Sequence, residues 1–211
     1  MKVSELLDRS ERFASDIFEF VAELQTQAAP DRARAAADEA LMSLEHWRSV
    51  GTLLLQRNIP SALVVQLEQL DAATRSLWLR HVASAEQLNE FFSYQSLAWD
   101  QVRPPGLPSI SDMQARIKER APINQYYIVS EAREARWTYS RKELYHDWRK
   151  PQVAEGLGSA MLYNSNAVGA LVCFQVVDQL GGSSQKEQLR AVIARHPGVI
   201  SPSQSERLLA P

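Results

Sequence analysis

Apolar residues recur at intervals of three and four between residues 44 and 92. That period matches the 3.6-residue turn of an α-helix and gives each helix one apolar face. The same spacing begins near Val3 and returns along most of the chain, whereas a strand-like pattern is confined to residues 126–129. We therefore predict an all-α protein, folded as an antiparallel helical bundle.

A helical hairpin is predicted at the centre of this bundle. Asn58-Ile59-Pro60 ends one helix and begins the next, because proline is accepted in the first turn of a helix and not in its interior. So short a turn makes the two helices antiparallel neighbours. The predicted helices are about 3–27, 31–57, 60–83, 84–102, 111–120, 124–150, 160–180 and 184–195. Three of them begin with a capping-box pattern, in which a serine is followed three residues later by Gln or Glu: Ser84 with Gln87, Ser111 with Gln114, and Ser184 with Glu187. The helix at 160–180 is apolar on all sides, which places it in the middle of the bundle.

The length and composition favour one domain. With 211 residues, 45% of them hydrophobic, the chain is long enough to bury one large core. We predict a single helical-bundle domain over residues 1–198, with an internal boundary in the proline-rich segment 103–110 and a loop at Gly156 and Gly158. The last residues, 199–211, are predicted to form a frayed tail with extra C-terminal helices before it.

The charge and cysteine content restrict the partners and the compartment. A net charge of −2 gives no overall attraction to nucleic acid or to an anionic membrane, so such binding requires a local patch. The single Cys173 lies in an apolar run and cannot form an internal disulfide. The N-terminus lacks the apolar core of a signal peptide, and polar residues interrupt each apolar run before the ~20 residues needed to cross a bilayer. We expect a soluble cytoplasmic protein that does not engage a membrane.

Asp71, Arg75 and His81 form the one arrangement that resembles a catalytic signature. Asp71 and Arg75 lie four residues apart and can pair on one helix face, whereas His81 is turned about 120° away from Arg75. A pocket would therefore need a second helix or a second subunit. In it, Arg75 would hold a scissile phosphate and His81 would transfer a proton to or from the ribose 2′-OH, as metal-independent RNA cleavage requires.

This spacing also has a simpler explanation. The pairs Arg141 with His146 and Arg190 with His196 show similar separations, so the pattern arises readily by chance. Ordinary residues at a helix surface or at the edge of the core are the alternative interpretation.

A second candidate site is the segment 126–150, in which aromatic and basic residues interleave. Aromatic rings stack on bases and arginines hold phosphates, so this composition predicts a surface for single-stranded RNA, with His146 as a further catalytic candidate. The alternative is a helix with an aromatic core stripe, because acidic residues dilute the positive charge. The candidate binding residues are Trp137, Tyr139, Arg141, Tyr145 and Trp148, together with Asp71 of the first site.

Other chemistry has little support in the sequence. No spacing of His, Cys, Asp or Glu suits a metal ion, and the run Gly156-Leu157-Gly158-Ser159 lacks the lysine and the preceding strand of a phosphate-binding loop. Cys173 has no electropositive neighbour in sequence that would activate its thiol. We expect no metal and no cofactor.

The hairpin carries a family resemblance. The run Leu44-Glu-His-Trp-Arg-Ser-Val-Gly-Thr-Leu-Leu-Leu-Gln-Arg-Asn-Ile-Pro-Ser-Ala-Leu, continued by Gln69-Leu70-Asp71 and Arg75-Ser76-Leu77-Trp78, resembles a group of bacterial all-helical proteins. In outline that group is similar to the HEPN superfamily. The resemblance implies a helical-bundle ribonuclease of a toxin–antitoxin or phage-defence system, often dimeric, with Arg75 and a histidine in the site. Ser76 and Asp147 depart from the pattern, since HEPN ribonucleases usually place an amide, an acid or an imidazole directly after the arginine, and glycine is usual near the later histidine.

Three functions remain open at this point. The first is a HEPN-like ribonuclease that uses Arg75 with His81 or His146 and acts on RNA. The second is a non-catalytic interaction module of the antitoxin, immunity or adaptor type, which binds a protein or a second copy of itself. The third is a bundle that binds a small ligand or nucleotide in a pocket lined by Asp71, Arg75 and the aromatic residues of the segment 126–148.

Overall fold

The computed structural model describes residues 2–24, 30–95, 107–135 and 147–209, and all regular structure within them is helical. The all-α prediction is thus confirmed. The helices are α1 (Val3–Ala22), α2 (Asp31–Leu55), α3 (Ile59–His81), α4 (Ala85–Gln95), α5 (Ile110–Arg120), α6 (Ile123–Ala135), α7 (Pro151–Leu180), α8 (Ser183–Ala194) and α9 (Pro202–Leu209), with a 3₁₀ turn at Asp147–Arg149.

The hairpin of α2 and α3 forms the centre of the bundle together with α7. α2 and α3 pack along each other over their length, and α7 packs against α1, α2 and α3. Every residue of α7 from Ser165 to Val177 is buried, as its all-round apolar pattern predicts. Cys173 lies in this run, where burial raises the pKa of its thiol. By length and composition α7 could cross a membrane, and 83% of its most apolar stretch is buried inside the bundle.

One glycine sets the distance between α2 and α7. A Cβ atom added to Gly169 would lie 2.5 Å from Cε3 of Trp47, so only glycine fits against this ring. Trp47 is held in place because its Nε1 donates a hydrogen bond to Oδ1 of Asn166 at 3.0 Å. Its ring also meets Phe13 edge-on and stacks beside Phe18. The α2–α7 contact is therefore both close and directional.

Buried polar side chains join α3 to α7. Nε2 of Gln66 donates to the Met161 carbonyl and to Oγ of Ser165, each at 2.9 Å. Further along, Oγ of Ser76 lies 2.7 Å from Oε1 of Gln175, which it can reach as a donor. Because these groups are buried, the hydrogen bonds fix the register of the two helices more than a purely apolar seam would.

The capping prediction at Ser84 is confirmed, and two others are wrong. The backbone N–H of Ser84 donates to Gln87 and the N–H of Gln87 donates to the Ser84 hydroxyl, as a capping box requires. α5, however, is capped by Ser109 with Asp112 and not by the predicted Ser111. α8 begins after Gly182, two residues before the predicted cap at Ser184, because the Gln185 side chain accepts from the Gly182 N–H.

Several predicted boundaries need correction. Gly156 and Gly158 lie inside α7 and not in a loop. Pro151 begins this helix, at a position where a backbone N–H would have no acceptor within the helix. The frayed tail is also wrong, because α9 folds back and buries Leu208. The predicted helix over 124–150 ends at Ala135, and residues 136–146 lie outside the described residues.

Candidate functional site

Asp71 and Arg75 each bind a different helix instead of each other. Nε of Arg75 donates to Oε2 of Glu39 on α2 at 2.7 Å, and Asp71 accepts a hydrogen bond from Arg133 on α6. Burial raises the pKa of Glu39 although the Arg75 guanidinium acts against it. Both pairs are partly buried, and they hold α3 between its neighbours. The pairing that the sequence allowed within one helix is thus replaced by two interhelical pairs.

His81 ends α3 on a different side from Arg75. It interacts with Gln125 of α6 and Asp178 of α7, whereas Arg75 faces α2. Burial and the neighbouring Arg80 charge lower the pKa of His81, and these effects outweigh the opposite influence of Gln125 and Asp178. Its Nε2 atom is buried and has no hydrogen-bond partner in the described part of the chain. The structure therefore does not bring the predicted pair into one pocket, and the burial of His81 favours the neutral form of its imidazole.

Most of the aromatic–basic candidates fall outside the described residues. These are Trp137, Tyr139, Arg141, Tyr145 and His146. Trp148 lies in the 3₁₀ turn, where it packs partly buried against the core cluster beside α7 and carries the Arg149 guanidinium over its ring at 4.9 Å. For Trp148 this is the position of a residue at the core edge.

His196, the third histidine with an upstream arginine, has a structural partner. Its Nε2 lies 2.9 Å from Oδ2 of Asp16, and its ring packs against Phe13 with centroids 5.3 Å apart. Arg195 approaches the same carboxylate at 3.1 Å. The hydrogen bond with His196 and the nearby Arg195 guanidinium lower the pKa of Asp16. This group joins the turn after α8 to α1.

A cationic cleft opens beside His81, between the C-terminal ends of α3 and α7 and the helices α6, α8 and α9. Its volume is about 240 Å³. Four cationic residues line it against one acid, and apolar and amide side chains complete the wall. The charged residues of the lining are Arg80, Asp178, Lys186, Arg190 and Arg207. His81 is next to Arg80 and interacts with Gln125 and Asp178, which are part of this lining.

The carboxylates around the cleft do not accept hydrogen bonds from all of the N–H groups of its cationic residues. Asp178 is shared, because Arg80 and Lys186 both reach it, at 3.5 and 2.9 Å. Arg190 and Arg207 each pair with a glutamate outside the lining. Nη1 of Arg80 and Nε of Arg190 are nevertheless buried with no hydrogen-bond partner among the residues that the structure describes. Buried N–H groups of this kind favour an anionic acceptor.

A match to a known protein family covers most of the residues that line the cleft. A family model described as a family of unknown function, DUF6988, matches residues 40–202. The chain belongs to the DUF6988 family. No curated protein and no solved structure matches it significantly. The DUF6988 match includes Arg80, Lys186 and Arg190, whereas α1 and Arg207 lie outside it.

The DUF6988 chain offers no cluster for a metal ion in residues 2–24, 30–95, 107–135 and 147–209. No group of three or more His, Cys, Asp or Glu side chains is placed there to hold one. The chemistry that its described surface supports best is the binding of anions by guanidinium and ammonium groups.

Proposed function

We propose that this protein binds a ribose-phosphate ligand, either a nucleotide or single-stranded RNA, in the cationic cleft. The observation that carries the proposal is the charge of the lining, in which four cations face one carboxylate. A guanidinium group can donate two parallel hydrogen bonds to two oxygens of one phosphate. Each contact is stronger in a partly buried site than in bulk water, because the local dielectric constant is lower.

The size of the cleft suggests which part of the ligand it takes. Its 240 Å³ is below the volume that encloses a drug-sized molecule, so a phosphate with its ribose would fit and the base would extend outward. The apolar wall of Ile128, Leu171 and Phe174 suits the sugar and lowers the local dielectric. This arrangement is compatible with one phosphate of a longer strand.

Fluorescence polarisation with a labelled single-stranded RNA of about ten nucleotides, with AMP as competitor, tests the proposal. Arg190→Gln should weaken binding about tenfold, which is about 1.4 kcal/mol. Arg34→Gln is the matched control, because Arg34 also pairs with an acid three residues away on its own helix but does not line the cleft. Affinity should also fall as salt rises. Equal affinities of the two variants, or no binding by the wild type, would refute the assignment.

A second proposal, RNA cleavage, is favoured by the position of His81. The imidazole of His81 does not line the cleft and its Nε2 is buried, so the reaction requires this side chain to turn toward the cleft, where it would take the proton of a ribose 2′-OH. The 2′-oxygen would then attack the phosphorus, and the 5′-oxygen would leave and gain a proton from water. The hydroxide so formed would take the proton from His81, and a 2′,3′-cyclic phosphate would remain. Arg80 would hold the charge of the phosphate in place of Arg75. The toxin–antitoxin or phage-defence role that the HEPN resemblance implies belongs to this proposal.

Cleavage can be separated from binding by one variant. His81→Ala should abolish the cyclic-phosphate product from a defined RNA, with EDTA present, while its RNA affinity stays within about twofold of wild type. Arg75→Gln, which would disturb only the pair with Glu39, should retain cleavage if the variant folds, as circular dichroism would show. Cleavage that persists in His81→Ala at the wild-type rate would remove His81 from the chemistry.

The interaction-module hypothesis has weaker support. The exposed apolar residues of α2 are divided, because Leu41 and Met42 lie about 20 Å along the helix from Leu55. Single exposed apolar residues are common on protein surfaces, whereas partner surfaces are usually contiguous.

A further inference from the structure

A second cavity lies between α1, α2 and α7, on the other half of the bundle. Its volume is about 380 Å³, which is within the range of small-molecule pockets. The two sites share no lining residue, and along α7 the last residue of this cavity, Asn166, lies about 7.5 Å from the first residue of the cationic cleft, Leu171. The cavity is therefore independent of the phosphate site proposed above.

The floor of this cavity is apolar and aromatic. Trp47, Val50 and Leu162 are buried there, and the Phe18 ring lies beside Trp47, with centroids 6.1 Å apart and planes inclined by 22°. The two rings and the aliphatic side chains give the base of the cavity an apolar surface. Such a surface suits the apolar ring of a small ligand, which gains contact area there.

Two buried hydroxyl groups give the floor a polar end. Oγ of Ser10 accepts a hydrogen bond from Nδ2 of Asn166 at 2.8 Å, and Oγ of Ser165 accepts from Nε2 of Gln66 at 2.9 Å. Each hydroxyl keeps its own proton, and neither proton has an acceptor among the described residues. A ligand oxygen in the cavity could accept from one or both of them.

The rim is acidic on balance. Glu11 and Glu19 line it from α1, and neither forms an ion pair with the described residues. Arg48 is the one cation of the lining, and its guanidinium lies over the Phe18 ring at 5.5 Å. A positive group on a ligand would thus meet two carboxylates at the mouth of the cavity.

We propose that this cavity binds a small aromatic amine, in which a planar ring carries an oxygen acceptor at one end and a positive charge at the other. The ring packs on the apolar floor beside Phe18, Val50 and Leu162, the oxygen accepts from Ser10 or Ser165, and the ammonium group remains at the rim. These three requirements come from three separate parts of the wall.

Three related probes test the proposal by isothermal titration calorimetry: tyramine, p-cresol and 4-hydroxyphenylacetate. They share the hydroxyphenyl ring and differ in charge, being cationic, neutral and anionic. Tyramine should bind most tightly and 4-hydroxyphenylacetate at least tenfold more weakly. Binding of none of them at millimolar concentration, or tightest binding of the anion, would overturn the proposal.

The chain offers a filled-cavity variant with a matched control. Gly51 lines the cavity, and a Cβ atom added to it meets nothing within 4 Å. Gly51→Leu should fill the space, favour the helix and lower the tyramine affinity at least tenfold. Gly156→Leu is the control, because a Cβ at Gly156 also meets nothing within 4 Å and this residue does not line the cavity. Equal tyramine affinities in both variants would refute the site, and Arg190→Gln should leave tyramine binding unchanged.

Discussion

Replacing Gly169 by alanine would test how tightly α2 and α7 are packed. The added Cβ would lie 2.5, 2.6 and 2.9 Å from three carbon atoms of the Trp47 ring. Ordinary contacts of this kind are 3.4–4 Å, so the ring would have to retreat by about 1 Å. Because Phe13 and Phe18 flank the ring, a rigid retreat is blocked and the helices must separate.

The expected loss of stability follows from three contributions. Overpacking in a tight core destabilises by about 1–3 kcal/mol. If the ring moves, the hydrogen bond from Trp47 to Asn166 is broken as well, and two buried polar groups lose their partner at about 1–3 kcal/mol. Replacing glycine by alanine in a helix returns about 1 kcal/mol. We expect a net loss of about 3 kcal/mol for Gly169→Ala.

Urea unfolding followed by circular dichroism measures this loss against a control. Gly156→Ala lies in the same helix and meets nothing within 4 Å, so it should be stabilised by up to about 1 kcal/mol. The difference between the two variants isolates the contact with Trp47, since both replace a helical glycine. If Gly169→Ala is as stable as Gly156→Ala, the close approach of α7 to Trp47 is wrong.

Three further changes test other parts of the structure. The His81 pKa is lowered from 6.5, so the unfolded chain binds a proton at this residue more readily than the folded protein does. The free energy of unfolding should therefore decrease as the pH drops below 6.5, by at most about 1.4 kcal/mol per pH unit. Urea unfolding at several pH values measures this slope, and His81→Gln should lack it. Ser76→Ala removes a buried hydroxyl that lies 2.7 Å from both Oε1 of Gln175 and the Ala36 carbonyl, which share its one proton, and should destabilise by about 1–3 kcal/mol in urea unfolding. No change in stability would remove this hydroxyl from the contacts that hold α3 to its neighbours. Leu208→Ala should lower the melting midpoint with a loss of about 2–3 kcal/mol, whereas a truly frayed tail would show none.

The parts of the fold that could be predicted are those with a local signal. The stripe of Leu6, Phe13 and Ile17 is buried as its spacing requires, and the turn at Asn58 joins two antiparallel helices. The tail was misjudged because α9 is short and owes its order to the burial of Leu208, which is a tertiary effect.

The site was harder to predict, because its members are far apart in sequence. Arg80 lies more than a hundred residues from Lys186, Arg190 and Arg207, and only the packing of α3 against the C-terminal helices brings them together. For the same reason Arg75 could not be assigned to Glu39 from spacing alone. The spacing of four residues lets Arg75 pair with Asp71 on its own helix, but Glu39, a partly buried acid on another helix, competes for the same guanidinium.

The burial of α7 from Ser165 to Val177 also bears on how this sequence can vary. Away from the two cavities, a larger side chain at these positions requires a smaller one on a neighbouring helix, so substitutions in this helix should occur as compensating pairs. We expect drift to concentrate instead on outward positions such as Val64 and Met42, and an alignment of relatives would reveal the difference as covariation.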